Sequence, residues 1–268
     1  GDIGRLALCG TVNDLAVSGA VPRYLSCAMI LEAGLPLETL RRVVASMAET
    51  AREAGVLIVT GDTKVVEGGA CAGIYITTAG VGVFPADRAI PPQQPQTGDV
   101  ILCTSPVASH GMAVMAARHN LRFDPAIASD VRPLNHAIRA VLDAGVDMRA
   151  MRDPTRGGVA GTLNEWAGSA LDITLVEEAL PVRADARAAC EILGIDPVYV
   201  ANEGVALFSL PAEEAQIALS ALRTTPGCEE AAIIGSVAFG TGRVFAKTQI
   251  GTFRRVLPPS GELLPRIC

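Results

Sequence analysis

Asp62 and Lys64 stand two residues apart in Gly61-Asp62-Thr63-Lys64, directly after the apolar run 56–60. The run reads as a short β-strand, and the loop after such a strand is where α/β folds display ligand-binding side chains. A carboxylate there suits Mg²⁺, which takes one or two carboxylates together with phosphate oxygens. A lysine beside it neutralises phosphate or, once desolvated, serves as a base. A turn carrying a solvated charge pair is the other reading. The glycines do not make a Walker A loop, since G-x-x-x-x-G-K-[ST] is absent.

Three further segments carry polar groups at element ends. Asn13 and Asp14 sit near the start of a helical pattern read over 10–20, where they either cap free N–H groups or supply a second acidic ligand. Asp153-Pro154-Thr155-Arg156-Gly157-Gly158 precedes a helical pattern running to Trp166. Free amides, glycines and an arginine at a helix start make an anion site, with an ordinary capped entry as the alternative. Asn202-Glu203-Gly204 leads into the apolar strand 205–210, and a lone glutamate at a strand mouth reads as exposed. His110, His119 and His136 lack partners at metal-ligand or triad spacing and read as structural.

The seven cysteines are odd in number, scattered, and without zinc-knuckle spacing. Cys9, Cys27, Cys71, Cys103, Cys190 and Cys228 have small or apolar neighbours and read as buried thiols. Cys268 differs, because it is the last residue of a twelve-residue stretch holding three prolines and a glycine. Such a stretch cannot be a regular helix, and extended it reaches about 40 Å. Arg266 favours a thiolate at Cys268, and the terminal carboxylate opposes it.

The elements that must position these residues form a mixed pattern. Residues 27–33 read as a strand. Pro36, then Leu40, Val43, Val44, Met47 and Ala51 at helical spacing, and a stop at Gly55 mark a helix. Residues 73–84 form a long strand. Four prolines and three glutamines in 85–98 suit a linker. Strands then follow at 99–104, 173–176, 205–210, 231–237 and 243–247, with helices at 110–120, 133–144, 184–193 and 212–222. The predicted fold class is α/β of a mixed α+β kind, in two domains at 1–85 and 98–248 with a flexible tail at 249–268. Strict alternation is missing, which disfavours a Rossmann sheet or barrel.

Bulk properties exclude several classes. In 268 residues, half are apolar and 19% charged, and the mean hydropathy is +0.37, which is not a disordered composition. A net charge of −6 leaves no basic stripe for nucleic acid. No apolar run reaches the roughly 18 residues of a membrane span, and no signal peptide pattern is evident. A cytoplasmic protein is expected.

Gly10-Thr11-Val12-Asn13-Asp14-Leu15-Ala16, Gly61-Asp62-Thr63-Lys64-Val65-Val66, Asp153-Pro154-Thr155-Arg156-Gly157-Gly158, Val200-Ala201-Asn202-Glu203-Gly204 and terminal Pro265-Arg266-Ile267-Cys268 together resemble the HypE family of [NiFe]-hydrogenase maturation. The inner motifs are shared with the wider superfamily of aminoimidazole ribonucleotide synthetase and selenophosphate synthetase; the terminal Pro-Arg-Ile-Cys is specific to HypE. The resemblance implies two α/β domains and a homodimer with ATP near its interface. It further implies ATP-dependent dehydration of an S-carboxamide on Cys268 to a thiocyanate. HypF would donate the carbamoyl group, and the HypC–HypD complex would accept the cyanide. Carried over, Cys268 bears the group and Lys64 and Glu203 are the proton-transfer pair. Asn13, Asp14, Asp62, Thr63 and Arg156 hold the nucleotide, with Asp14 and Asp62 on Mg²⁺.

The chain opens on Gly-Asp-Ile-Gly, ahead of which family members carry a stretch that adds acidic and glycine residues near the nucleotide. Ala108-Ser109-His110-Gly111 stands where members commonly read Gly-Asp-His-Gly. Two other functions fit parts of the pattern: a small-molecule kinase or synthetase of the same superfamily, and a carrier whose tail is modified elsewhere.

Overall fold

The computed structural model describes residues 1–86 and 91–260. The chain divides into two compact units, 1–90 with 131–136 and 91–130 with 137–268. Both mix helices and strands, as the predicted fold class requires.

The first unit contains α1 (Ile3–Val17), β1 (Val21–Glu32), α2 (Leu37–Ala54), β2 (Leu57–Val66) and β3 (Ile74–Val83). The helix expected over 10–20 begins earlier, because the Asp2 carboxylate accepts from the amides of Gly4 and Arg5 at 3.0 and 3.1 Å and satisfies two otherwise free donors. The limits of α2 follow its spacing. Pro36 precedes it, and Gly55 closes it at φ 68°, donating to the carbonyls of Ala51 and Arg52. The sheet order is β2-β1-β3, with β1–β2 parallel across the α2 crossover and β1–β3 antiparallel. Leu8, Val12, Leu25, Ala51, Ala54 and Val56 form one buried cluster, and Cys27, Val43 and Met47 another.

The strand expected to end at residue 60 instead continues to Val66. Its backbone stays paired with β1, Asp62 lying against Ala28 and Lys64 against Ile30. Gly61 permits this, since a Cβ there would lie 2.2 Å from the Cys27 carbonyl oxygen. β2 is an edge strand, exposed along nearly its whole length.

The second unit is built on a seven-stranded sheet, β10-β9-β6-β8-β4-β7-β5. Its strands are β4 (Asp99–Cys103), β5 (Ala150–Arg152), β6 (Leu171–Val176), β7 (Leu207–Pro211), β8 (Ala232–Phe239), β9 (Arg243–Lys247) and β10 (Phe253–Arg255). All pairings are antiparallel except β6–β9. The remaining α-helices are α3 (Ser109–Arg118), α4 (Asn135–Asp143, its first two residues counted with the first unit), α5 (Gly158–Ala167), α6 (Ala184–Leu193) and α7 (Ala215–Arg223), with short 3-10 turns at Glu177–Ala179, Pro197–Tyr199 and Ala212–Glu214. Met112 of α3, Val159 and Leu163 of α5, and Ala186 and Cys190 of α6 join Ile101, Cys103, Ile173, Leu175 and Leu207 in the main core. The short strands β5 and β10 were not expected; three residues leave too brief a pattern to read. β10 corrects the flexible tail in part. Phe253–Arg255 pair with β9, and Val256 is fully buried.

Candidate functional site

In the first unit, Asp62, Thr63 and Lys64 follow one another along β2, and all three are exposed. Side chains alternate across a strand, so Asp62 and Lys64 share a face and lie about 7 Å apart along it. Their partners Ala28 and Ile30 mark this as the outer face of the sheet. Thr63, opposite Met29, takes the other face, toward a cleft of about 690 Å³ lined by Cys27, Met29, Val44, Met47 and Ile58. The Asp62 carboxylate also accepts from the Thr63 amide at 2.8 Å. The loop expected for these residues is therefore an edge strand, which orients them more firmly.

Asn13 and Asp14 are not at a helix start either. They lie inside α1, and one residue of helical rotation separates their environments. Asn13 is 1% exposed; its amide donates to the Arg132 carbonyl at 3.1 Å and accepts from the Leu134 amide at 2.8 Å. Asp14 is exposed.

In the second unit, Glu203 is only 9% exposed, against the expectation for a strand mouth. Its flanks explain this. Asn202 is fully buried and donates through both its backbone amide and Nδ2 to the Pro154 carbonyl, at 3.2 and 2.9 Å. Its Oδ1 accepts from the Ala108 amide at 2.7 Å. Ser105 donates to the Gly204 carbonyl at 3.3 Å, and the Glu203 amide donates to Asp130 Oδ1 at 2.7 Å. Two motifs far apart in sequence, around Pro154 and around Asn202, are thus joined directly. Gly158 makes the junction possible at φ 60°, since a Cβ there would lie 2.6 Å from the carbonyl oxygens of Val198 and Val200. Arg156 stands exposed one residue before Gly157, which precedes α5 without a side-chain cap.

Asp130 also accepts, through Oδ2, from the His110 amide at 3.0 Å, and His110 Nδ1 shares a 2.8 Å hydrogen bond with Ser129 Oγ. His110 is buried, which lowers its pKa to about 4. Sequence reading missed Ser129 and Asp130, which lie in an irregular stretch with no motif around them. Only the folded chain marks the place, through Ala108, whose φ of 74° strains a residue other than glycine.

Cys268 and Arg266 lie outside the described residues. The root of the tail is described and held. Arg254 pairs with Glu177 and, at 2.7 Å, with Asp196. Asn164 Nδ2 donates to the Val256 carbonyl at 3.3 Å, and Tyr199 donates to that of Leu257 at 3.1 Å. Pro259 then crosses Gly157, where a Cβ would come within 2.8 Å of its ring. Five of the other cysteines are buried, and Cys71 is half-buried.

Residues 1–84 match the N-terminal domain, and 96–246 the C-terminal domain, of AIR synthase related proteins. The chain is 50% identical over 270 residues to carbamoyl dehydratase HypE of Azotobacter vinelandii, covering 100% of this chain and 79% of that protein. The chain belongs to the HypE family. A crystal structure of the hydrogenase maturation protein HypE in complex with ATP superposes with a TM-score of 0.93 at 47% identity, covering 100% of this chain and 82% of that one. The HypE of a HypE–HypF complex gives 0.92 at 44%, covering 97% and 85%. HypE membership bears out the family, fold and enzyme class expected from the motifs. No helix of the described residues is long and apolar enough to cross a membrane.

Proposed function

We propose that this HypE-family chain is an ATP-dependent carbamoyl dehydratase of hydrogenase maturation that turns an S-carboxamide on its own Cys268 into a thiocyanate. The observation that carries the reading is the tail root: Pro259 rests on Gly157 of the segment whose Pro154 carbonyl binds Asn202, next to Glu203. From Ser260, eight more residues reach at most about 29 Å.

The carboxamide oxygen is a poor leaving group, so it must first take the γ-phosphoryl group of ATP. The nitrogen gives up one proton at that stage, leaving an imidate phosphate. Loss of the second N–H proton expels phosphate and closes the C≡N bond. Glu203, desolvated by its surroundings, is the base for the first transfer, and Lys64 is the other member of the proton-transfer set. Asp62, Thr63 and Arg156 contact the nucleotide, and Asn13 braces the helix that presents Asp14; Asp14, on the helix side of the sheet, and Asp62, on its outer face, would meet on one Mg²⁺ only between two copies of the chain. Two exposed hard carboxylates suit that ion. Among the described residues no cluster of three or more His, Cys, Asp or Glu side chains offers a metal a closed cage. When bound, Mg²⁺ supplies positive charge against the phosphates.

HypF supplies the carbamoyl group, as the HypE–HypF complex of a relative supports, and HypC–HypD takes the cyanide in the cytoplasm. A homodimer covers the outer face of the first sheet, where Tyr24, Ile30, Tyr75, Val81 and Val83 are exposed beside Asp62 and Lys64. The test is intact mass on the carbamoylated full-length gene product before and after Mg²⁺-ATP. Loss of one water mapped to Cys268, abolished by Glu203→Gln, is expected. Protein that binds ATP yet loses no water overturns the proposal and leaves Cys268 a passive carrier.

A further inference from the structure

Two protons leave one nitrogen in this dehydration, and a single carboxylate holds one at a time. The start of α3 offers a second acceptor. Asp130 binds the His110 and Glu203 amides through its two oxygens, at 3.0 and 2.7 Å, which keeps those nitrogens within about 8 Å of each other. The Gly111 amide donates to the Ala201 carbonyl at 3.1 Å, and Asn202 Oδ1 holds the Ala108 amide, so His110 and Glu203 ride on segments locked together at several points. Ser129 fixes one ring nitrogen of His110. The other, Nε2, is buried and has no hydrogen-bond partner among the described residues, and neither has the buried Ser109 hydroxyl beside it. Buried polar atoms are rarely left so unless a ligand or water completes them. Ala108, strained at positive φ, precedes the pair, and such strain gathers at functional sites.

We propose that His110 is a second catalytic base of the dehydration, with Ser129 and Asp130 as its positioning residues; this rests on the reading of Glu203 as the first base. Glu203 takes the proton released as the γ-phosphoryl group moves onto the carboxamide oxygen and ADP departs. His110 Nε2 then takes the remaining N–H proton of the imidate phosphate. The N–H electron pair becomes the third C–N bond, the C–O bond to phosphate breaks, and the imidazolium returns the proton to the departing phosphate. The balance is one thiocyanate and one hydrogen phosphate from each imidate phosphate. Burial keeps the imidazole neutral in the resting site, and the imidate's phosphate charges raise its basicity when they arrive.

The test follows ADP release and thiocyanate formation separately in a single turnover of the carbamoylated full-length protein. His110→Ala is expected to keep ADP release and to slow thiocyanate formation by about 10²–10⁴-fold, with at least a tenfold recovery in added imidazole. Wild-type thiocyanate formation overturns the proposal. So does a loss that imidazole does not relieve, because that marks a packing role. Should His110→Ala fail to fold by circular dichroism, Ser129→Ala decides, since it keeps the ring: about tenfold slower thiocyanate formation with unchanged ADP release is expected, and no change overturns. Glu203→Gln should block ADP release. If it does not while His110→Ala behaves as expected, the reading of Glu203 fails and that of His110 stands.

Discussion

A buried neutral histidine leaves a thermodynamic trace that needs no turnover to observe. His110 titrates near 4 in the folded protein, against about 6.5 for a free imidazole. The unfolded chain therefore binds this proton first as pH falls. The associated stability is fully present above about pH 6.5, declines between 6.5 and 4, and amounts to about 3 kcal/mol. Urea unfolding of the wild type should weaken across that window beyond what carboxylates explain, and His110→Gln should remove that extra slope. Equal slopes in the two proteins would mean that the ring is hydrated in the native state. Asn13 shows the complementary case. Its residue type suits a ligand contact or a helix cap, yet its amide is engaged with the 131–136 backbone, a partner over a hundred residues away.

Among the elements, β2 shows how one glycine decides a strand's extent. Parallel pairing with β1 brings the Gly61 backbone against the Cys27 carbonyl, closer than any side chain allows. Gly61→Ala is expected to separate β2 from β1 around residues 60–62, at a cost of more than about 2 kcal/mol. Hydrogen exchange should report it, with amides of β1 and β2 exchanging faster while those of the seven-stranded sheet stay as they were. Unchanged protection in β2 would refute this account of the strand. The consequence for the site is direct, because Asp62 and Lys64 share a face only while β2 remains extended through Val66.

For the whole molecule, the exposed outer face of the first sheet is the feature to explain. Val81 is 62% exposed, and Tyr75 and Val83 on the same strand are more than half exposed. Apolar side chains gathered on one side of a sheet are stable in water when something covers them. A second copy is the proposed cover. Val81→Lys would bury two charges near each other in such a dimer, so sedimentation should show the wild type as a dimer and the variant shifted to monomer. A variant that remains fully dimeric would exclude this face as the interface.

Sequence by itself determined what depends on neighbours along the chain. Proline at the start of an amphipathic run and glycine after it marked α2, the helix proper beginning one residue past Pro36. Small, apolar surroundings indicated five of the six expected buried thiols, Cys71 being half-buried, and five short motifs pointed to the family. Tertiary structure alone decided what depends on distant pairing. A turn and a strand continuation look alike at Gly61-Asp62-Thr63-Lys64 until β1 supplies the hydrogen-bond partners. Glu203 reads as exposed until Asn202 is tied to Pro154, nearly fifty residues earlier. Asp130 has no signature, because its role is to join two amides from separate segments. The expected free tail is held as far as its root because Tyr199, Asn164 and β9 meet it only in the folded unit. Propensity and motif chemistry act over a few residues; hydrogen-bond pairing and burial act across the whole chain, and it was these that assembled the site.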